Sequence, residues 1–331
     1  MTITGITLHD IEQAQKSIRE HVRHTPLVPS HSLGETTGVP VFLKLETMQD
    51  IGAFKIRGAT NKLLHLSPEE RKRGVVAIST GNHGRGVAAA AQKLGIRAVI
   101  CMGSLVPENK IAGIKAYGAE VRIIGNSQDD AEVEAKRLIE EEGMIEVHPF
   151  DDLHVAAGQG TIGLELLQDL PGIKTVIIPV SGGGLAGGIA FAMKSMSPEI
   201  RVVGVSMERG PAMIESLKAG KPVPVEEVST LADSLGGGIG MENKLTFDLC
   251  RDYLDETVLV TEAQIASAMA HLFLEERVVV EGGGSVGVAA LRNGLVKDLE
   301  GPVAIIVSGR NVDTTKLHNL IGKELGASAN E

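Results

Sequence analysis

Tryptophan is absent from this chain of 331 residues, and only two tyrosines and six phenylalanines are present. That excludes reading single-stranded nucleic acid on rows of stacking rings, which needs aromatic platforms. Positive charge is also short. Thirty-two Lys and Arg face 42 Asp and Glu, for a net charge of −10. The summed field repels phosphate backbones and anionic bilayers, so neither nucleic acid nor a membrane is expected as a partner. A local anion site must be made from backbone N–H groups or a few placed cations. Cysteine is nearly missing too. Cys101 and Cys250 lie far apart, outside any metal-binding spacing and within apolar stretches, as reduced buried thiols of a cytoplasmic protein would. The start, MTITGITLHDIEQAQ, lacks the basic region and apolar run of a signal peptide. The uncharged stretch between Lys174 and Lys194 has the length of a membrane span. It reads TVIIPVSGGGLAGGIAFAM, with Pro179, Ser181 and five glycines, which predicts a strand, a tight loop and a helix instead.

Apolar residues make up 43% of the chain, enough for a large core, and the length suggests about two domains. β-Branched runs predict strands at Val41–Leu45, Val75–Ser79, Ala98–Met102, Glu120–Ile124, Thr175–Pro179, Val202–Val205, Thr257–Val260 and Val303–Val307. Helical patterns fall between them, among others at Gly84–Leu94, Asp129–Glu142, Thr261–Glu276 and Thr315–Leu325. This alternation predicts an α/β protein with largely parallel sheets. Several strands are apolar throughout, as strands covered on both faces should be. The run AEVEAKRLIEEEG reads as a solvated helix face ending at Gly143.

Five clusters fall at predicted strand ends, where open α/β sheets bind ligands. GAFKIRGAT (Gly52–Thr60) puts a lysine beside a small-residue helix start; by itself it reads as a surface lysine. STGNHGRG (Ser79–Gly86) brings hydroxyls, an amide and helix N-terminal N–H groups together, either for a carboxylate or phosphate or as an ordinary turn. PVSGGGLAGG (Pro179–Gly188) leaves no Cβ between backbone and an approaching anion, and the following helix aims its N-terminal dipole there. It lacks the Lys-Ser/Thr of a Walker loop, and no acidic residue follows it as in a nicotinamide-binding turn. ADSLGGGIG (Ala232–Gly240) is a close-approach loop or a flexible one. VSGRN (Val307–Asn311) carries a serine out of the last strand.

In this order, FKIRGA, GNH, HPFDD, AGQGTIGLE, SGGGL and VSGRNVD resemble the fold type II pyridoxal-phosphate enzymes, within them the threonine dehydratases and serine racemases, from about Arg23 to Leu317. STGNHGRG, QDDAE, ADSLGGGIG and LTFDLCRDYLD look more narrowly like the hydroxyectoine-utilization dehydratases. The resemblance implies two open, twisted, mostly parallel sheets flanked by helices. Residues 1–75 and 151–331 would form a large cofactor-binding domain and 76–150 a small mobile one, in a homo-oligomer, dimer or tetramer. It implies that Lys55 holds pyridoxal 5'-phosphate covalently and removes the α-proton. Phe54 would pack on the ring, Asn82 bond its phenolic oxygen, Ser308 face its nitrogen, and Ser181, Gly182, Gly183, Gly184 and Leu185 bind its phosphate. Ser79, Thr80 and His83 would surround the substrate carboxylate.

Departures from the relatives sharpen the expectation. Thr80 stands where racemases use serine, and its methyl restricts the rotamer, so elimination should exceed racemisation. Ser308 should disfavour a long-lived carbanion. Ser206, Gly210 and Ala212 stand where metal-binding relatives carry acids, so no divalent-cation site is expected. Arg85 and Arg310 replace smaller or neutral residues and either read a second polar group of the substrate or are structural. The expected activity is loss of water from a small β-hydroxy amino acid, giving a 2-oxo acid and ammonia. The alternatives are a general serine/threonine dehydratase or racemase, and a cofactor-binding regulator without turnover.

Overall fold

The computed structural model describes residues 5–79, 81–106, 108–126 and 128–328. Its strands are β1 (Leu27–Pro29), β2 (Val41–Leu45), β3 (Val75–Ile78), β4 (Ala98–Met102), β5 (Glu120–Ile123), β6 (Ile145–Glu146), β7 (Thr175–Pro179), β8 (Arg201–Met207), β9 (Glu256–Val260) and β10 (Val303–Val307). They form two sheets. One has six strands in the order β1-β2-β10-β7-β8-β9 and the other four in the order β5-β4-β3-β6. Among the strand pairs of the described residues, only β1–β2 is antiparallel. The fold is thus the α/β arrangement of two mostly parallel sheets expected above. The very short β1 and β6 were not expected. Two or three residues carry no periodicity of their own, and pairing with β2 and β3 alone makes them strands.

Strands β4, β7 and β10 are buried at every position, because helices cover both faces of the sheets. Between Lys174 and Lys194 the chain forms β7, a glycine loop and the start of helix Gly184–Met196. Among the described residues no helix is long and apolar enough to cross a membrane. The two thiols are buried and free, and burial pushes Cys101 up to about 11 and Cys250 up to about 12.

Helix Leu153–Asp169, which carries AGQGTIGLE, packs between helices Ile56–Leu64 and Gly184–Met196. A Cβ on Gly158 would come within 2.6 Å of the Gly58 Cα, so this pair of glycines permits backbone contact. That contact locks the helix after Lys55 to the body of the larger sheet. A cleft opens at the carboxyl ends of β3, β7 and β10, between the two sheets.

Candidate active site

The cleft has a volume of about 330 Å³ and takes its walls from both sheets. Phe54, Lys55, Ser79, Asn82, His83, Arg85, Ser181, Gly182, Gly183, Gly184, Leu185, Ser308 and Arg310 all line it, so residues up to 256 positions apart in sequence meet there. Thr80 lies outside the described residues.

Lys55 stands just before helix Ile56–Leu64. Its amine donates to the Pro149 carbonyl at 2.7 Å and lies 5.3 Å from the centre of the Phe54 ring. Burial pushes it down to about 8, since no carboxylate offsets the cost of the charged form. The lysine thus lines the cleft and is not a solvated surface lysine, and a larger share of its amine than usual is uncharged near neutral pH.

The glycine loop follows β7. Gly183 has φ +88° and precedes the first turn of helix Gly184–Met196, which has no side-chain cap. No acceptor among the described residues takes the N–H groups of Gly184 and Leu185. An uncapped helix start facing a cleft is an anion site. The structure adds a second reason for the glycines to the one read in the sequence. A Cβ on Gly182 would lie 2.2 Å from the Phe150 ring, and one on Gly183 would lie 2.8 Å from Met213 and 3.0 Å from Thr246 and Cys250. These positions are closed off by protein packed around the loop, and Gly183 also by its positive φ. Thr246 braces the loop by donating its hydroxyl to the Gly182 carbonyl at 2.8 Å.

The HPFDD segment ties these parts together, which its sequence did not reveal. Pro149 holds Lys55, and Phe150 fills the space beside Gly182. Asp151 accepts the N–H of Thr246 at 2.9 Å, and Asp152 caps helix Leu153–Asp169.

On the other wall, Ser79 accepts the N–H groups of Gly81 at 3.2 Å and Gly84 at 3.0 Å. Its hydroxyl proton is left to donate elsewhere. His83 gives a ring proton from Nε2 to the Val147 carbonyl at 2.7 Å. Its Nδ1 is buried and has no hydrogen-bond partner among the described residues. Burial and then Lys55 push this histidine down to about 3, so it is a neutral wall and brings no positive charge to a carboxylate. Arg85 donates to Asn311 Oδ1 at 2.6 Å, whereas Arg310 is exposed at the rim. Lys110 reaches across the mouth to Asp233 at 2.8 Å.

Glu281 was missed altogether. It is 5% exposed and lines the cleft. Burial, then the charge of Asp233, raises its carboxyl above the ordinary range. The only hint in the sequence was a single carboxylate wedged between an apolar run and three glycines.

The donor set fits pyridoxal phosphate. An uncapped helix start suits its phosphate, a weakly basic lysine its aldehyde, and a half-buried phenylalanine its ring. Residues 18–309 match the model of the family described as "Pyridoxal-phosphate dependent enzyme". The chain is 49% identical to the L-threonine ammonia-lyase of Thermotoga maritima, over 97% of this chain and 79% of that one. It is 42% identical to the catabolic L-threonine dehydratase of Staphylococcus aureus, over 96% and 92%. The structure of maize serine racemase superposes with a TM-score of 0.91 at 35% identity, covering 98% of this chain and 99% of that one. Sequence, fold and cleft agree: this chain belongs to the pyridoxal-phosphate dependent enzymes, in the group that holds the threonine dehydratases and serine racemases.

Proposed function

We propose that the cleft eliminates water from a small β-hydroxy amino acid. The observation that carries this reading is a lysine of lowered basicity in the same cleft as an uncapped glycine-loop helix start. Bound pyridoxal phosphate supplies the electron sink that makes an α-proton labile. The protein does the rest. Gly182 to Leu185 would hold the phosphate with backbone N–H groups, with Ser181 beside them. Phe54 would lie against the ring, Asn82 would give an N–H to its phenolic oxygen and Ser308 a hydroxyl to its nitrogen. Ser79 donates its free hydroxyl proton to the substrate carboxylate, with neutral His83 as a wall. The Lys55 amine takes the α-proton, as a positioned base of matched basicity can. The C–O bond at Cβ then breaks, and the hydroxide leaves as water with one proton, so that the α-proton taken by Lys55 balances the loss. The enamine released tautomerises to an imine, which water hydrolyses to a 2-oxo acid and ammonia.

The named activities of the relatives support this class, since two are threonine dehydratases or ammonia-lyases. The substrate we propose is a 3-hydroxy amino acid of the kind formed in hydroxyectoine breakdown, on the motifs quoted above. Residues 76–150, which carry the smaller sheet, would close over it, with Lys110 and Asp233 at the seam. Elimination is proposed to exceed racemisation because Thr80 replaces an unbranched hydroxyl.

Borohydride treatment of the holoenzyme should fix the cofactor to a peptide containing Lys55. A substrate panel of serine, threonine, 3-hydroxyaspartate and 3-hydroxy-2,4-diaminobutyrate, scored for 2-oxo acid and ammonia, should show turnover of at least one. Label on another lysine, or an inert panel, would overturn the reading.

A further inference from the structure

Glu281 has no task in the reading above. It follows the apolar run Val278–Val280 and precedes helix Gly282–Arg292. Its carboxylate accepts Asn82 Nδ2 at 2.7 Å and the backbone N–H of Asn311 at 3.0 Å. Asn82 Oδ1 in turn accepts Asn311 Nδ2 at 2.6 Å. Asn311 Nδ2 also donates to the Ile51 carbonyl at 2.9 Å, and Asn311 Oδ1 accepts Arg85 at 2.6 Å.

A side-chain amide has nearly the same shape in both orientations, so its partners decide which end points where. Here the ends of the chain decide. A guanidinium only donates; a carboxylate and a backbone carbonyl only accept. Arg85 and the Ile51 carbonyl fix Asn311, and Asn311 then needs the oxygen of Asn82. Glu281, at the far end, needs the nitrogen of Asn82. The two demands agree.

We propose that Glu281 is a positioning residue that fixes the polarity of the Asn82 amide, so that the second N–H of Asn82 is left for the phenolic oxygen of bound pyridoxal phosphate. This rests on the placement of Asn82 beside the cofactor under the proposed function. A donor held at that oxygen favours its negative form and so influences the pH at which the bound cofactor changes colour. The groups facing Glu281 are Asp233 and Ser234 from the short helix Asp233–Leu235, Asn82 from helix Asn82–Leu94, and Asn311 after β10. Arg85 acts through Asn311 and Lys110 through Asp233. As pH falls, a protonated Glu281 gains a donor and the constraint on Asn82 relaxes.

The test uses full-length holoenzyme and its cofactor-stripped form. Glu281→Gln keeps the volume but can turn an N–H toward Asn82 Nδ2, which removes the hold at that end and leaves Asn311 Nδ2 as the remaining group that orients the amide. It should raise the Kd for pyridoxal phosphate about tenfold, which corresponds to about 1.4 kcal/mol, and shift the pH midpoint of the cofactor's visible absorbance. Glu281→Asp, which still only accepts, should restore part of both. Asn311→Asp removes the Nδ2 donors in the middle of the chain while keeping the backbone N–H that Glu281 accepts, and should reproduce the Gln variant. A purely structural glutamate would lower the unfolding midpoint and leave affinity and absorbance titration unchanged, and that result overturns the proposal. Borohydride labelling of the same samples separates the two levels. Label at Lys55 with unchanged titrations rejects the role of Glu281 alone. Label elsewhere rejects the site and this proposal together.

Discussion

Lys55 and Arg57 are two residues apart, yet they serve two buried polar regions that behave in opposite ways. Arg57 is 1% exposed. It donates to Glu46 at 2.8 and 2.9 Å and to Glu165 at 2.6 and 2.9 Å. Behind them, Lys44 bridges Glu165 at 2.7 Å and Asp169 at 3.1 Å. Burial works against the charges of Glu46, Arg57 and Asp169, and the partners overcome it. Glu46 stays below the usual carboxylate range and Arg57 stays above its own. In the cleft the balance reverses. Lys55 has a carbonyl for a partner and no anion, and Glu281 has a second acid, Asp233, nearby. Each is therefore pushed toward its neutral form. Burial alone makes neither structure nor reactivity. A buried charge with its counter-charge is a fastener, and one without it is a reagent.

The comparison can be broken at either end. The largest effect should come from Lys55→Ala, which ought to lower turnover by about 10²–10⁴-fold or more while leaving the unfolding midpoint of the cofactor-free protein near that of the wild type. A large loss of stability in this variant would mean that Lys55 is a fastener too. Next, Arg57→Met should destabilise the protein by about 3–5 kcal/mol, because it strands two buried carboxylates. Denaturant unfolding measures this, and a cost below about 1 kcal/mol would erase the contrast.

A smaller loss is expected from Gly182→Ala. Its methyl must displace the Phe150 ring, at a cost of about 1–3 kcal/mol, so stability and cofactor affinity should fall together. Affinity lost with stability untouched would restore the simpler view that these glycines only clear space for an anion. The mildest effect is one of pH. Lys55 has its folded value near 8 and its ordinary value at 10.5, so between them the unfolded chain binds more protons than the folded one. Stability of the cofactor-free protein should then rise with pH from about 8 toward 10.5, and the cost of burying the amine is fully present below 8. Lys55→Met should flatten that slope, and an identical slope in both proteins would show that Lys55 is not the group responsible.

Much of this was legible in the chain. Eight strands were readable because β-branched runs set between helical patterns carry their own signal. The glycine loop stood out by itself, whereas Lys55 alone read as a surface lysine and the Asn82 cluster equally as a turn; the motif resemblance ordered them, with Ser308, into a site. β1 and β6 were not readable, being too short to show a period. Glu281 was not either, since one glutamate among apolar residues says nothing about the amides it will meet.

By itself the sequence determined the α/β class, the approximate ends of eight strands and the residue types able to hold a phosphate and an aldehyde. These are local matters, settled by side-chain shape, spacing and backbone freedom within a few residues. Only the tertiary structure decided which polar groups would be compensated. It set Arg57 among carboxylates and left Lys55 against a carbonyl. It placed the Phe150 ring beside Gly182 and joined Arg85 to Glu281 through two amides. The physical reason is that electrostatic cost depends on what surrounds a group within a few ångströms, and those neighbours come from up to some 260 residues away along the chain.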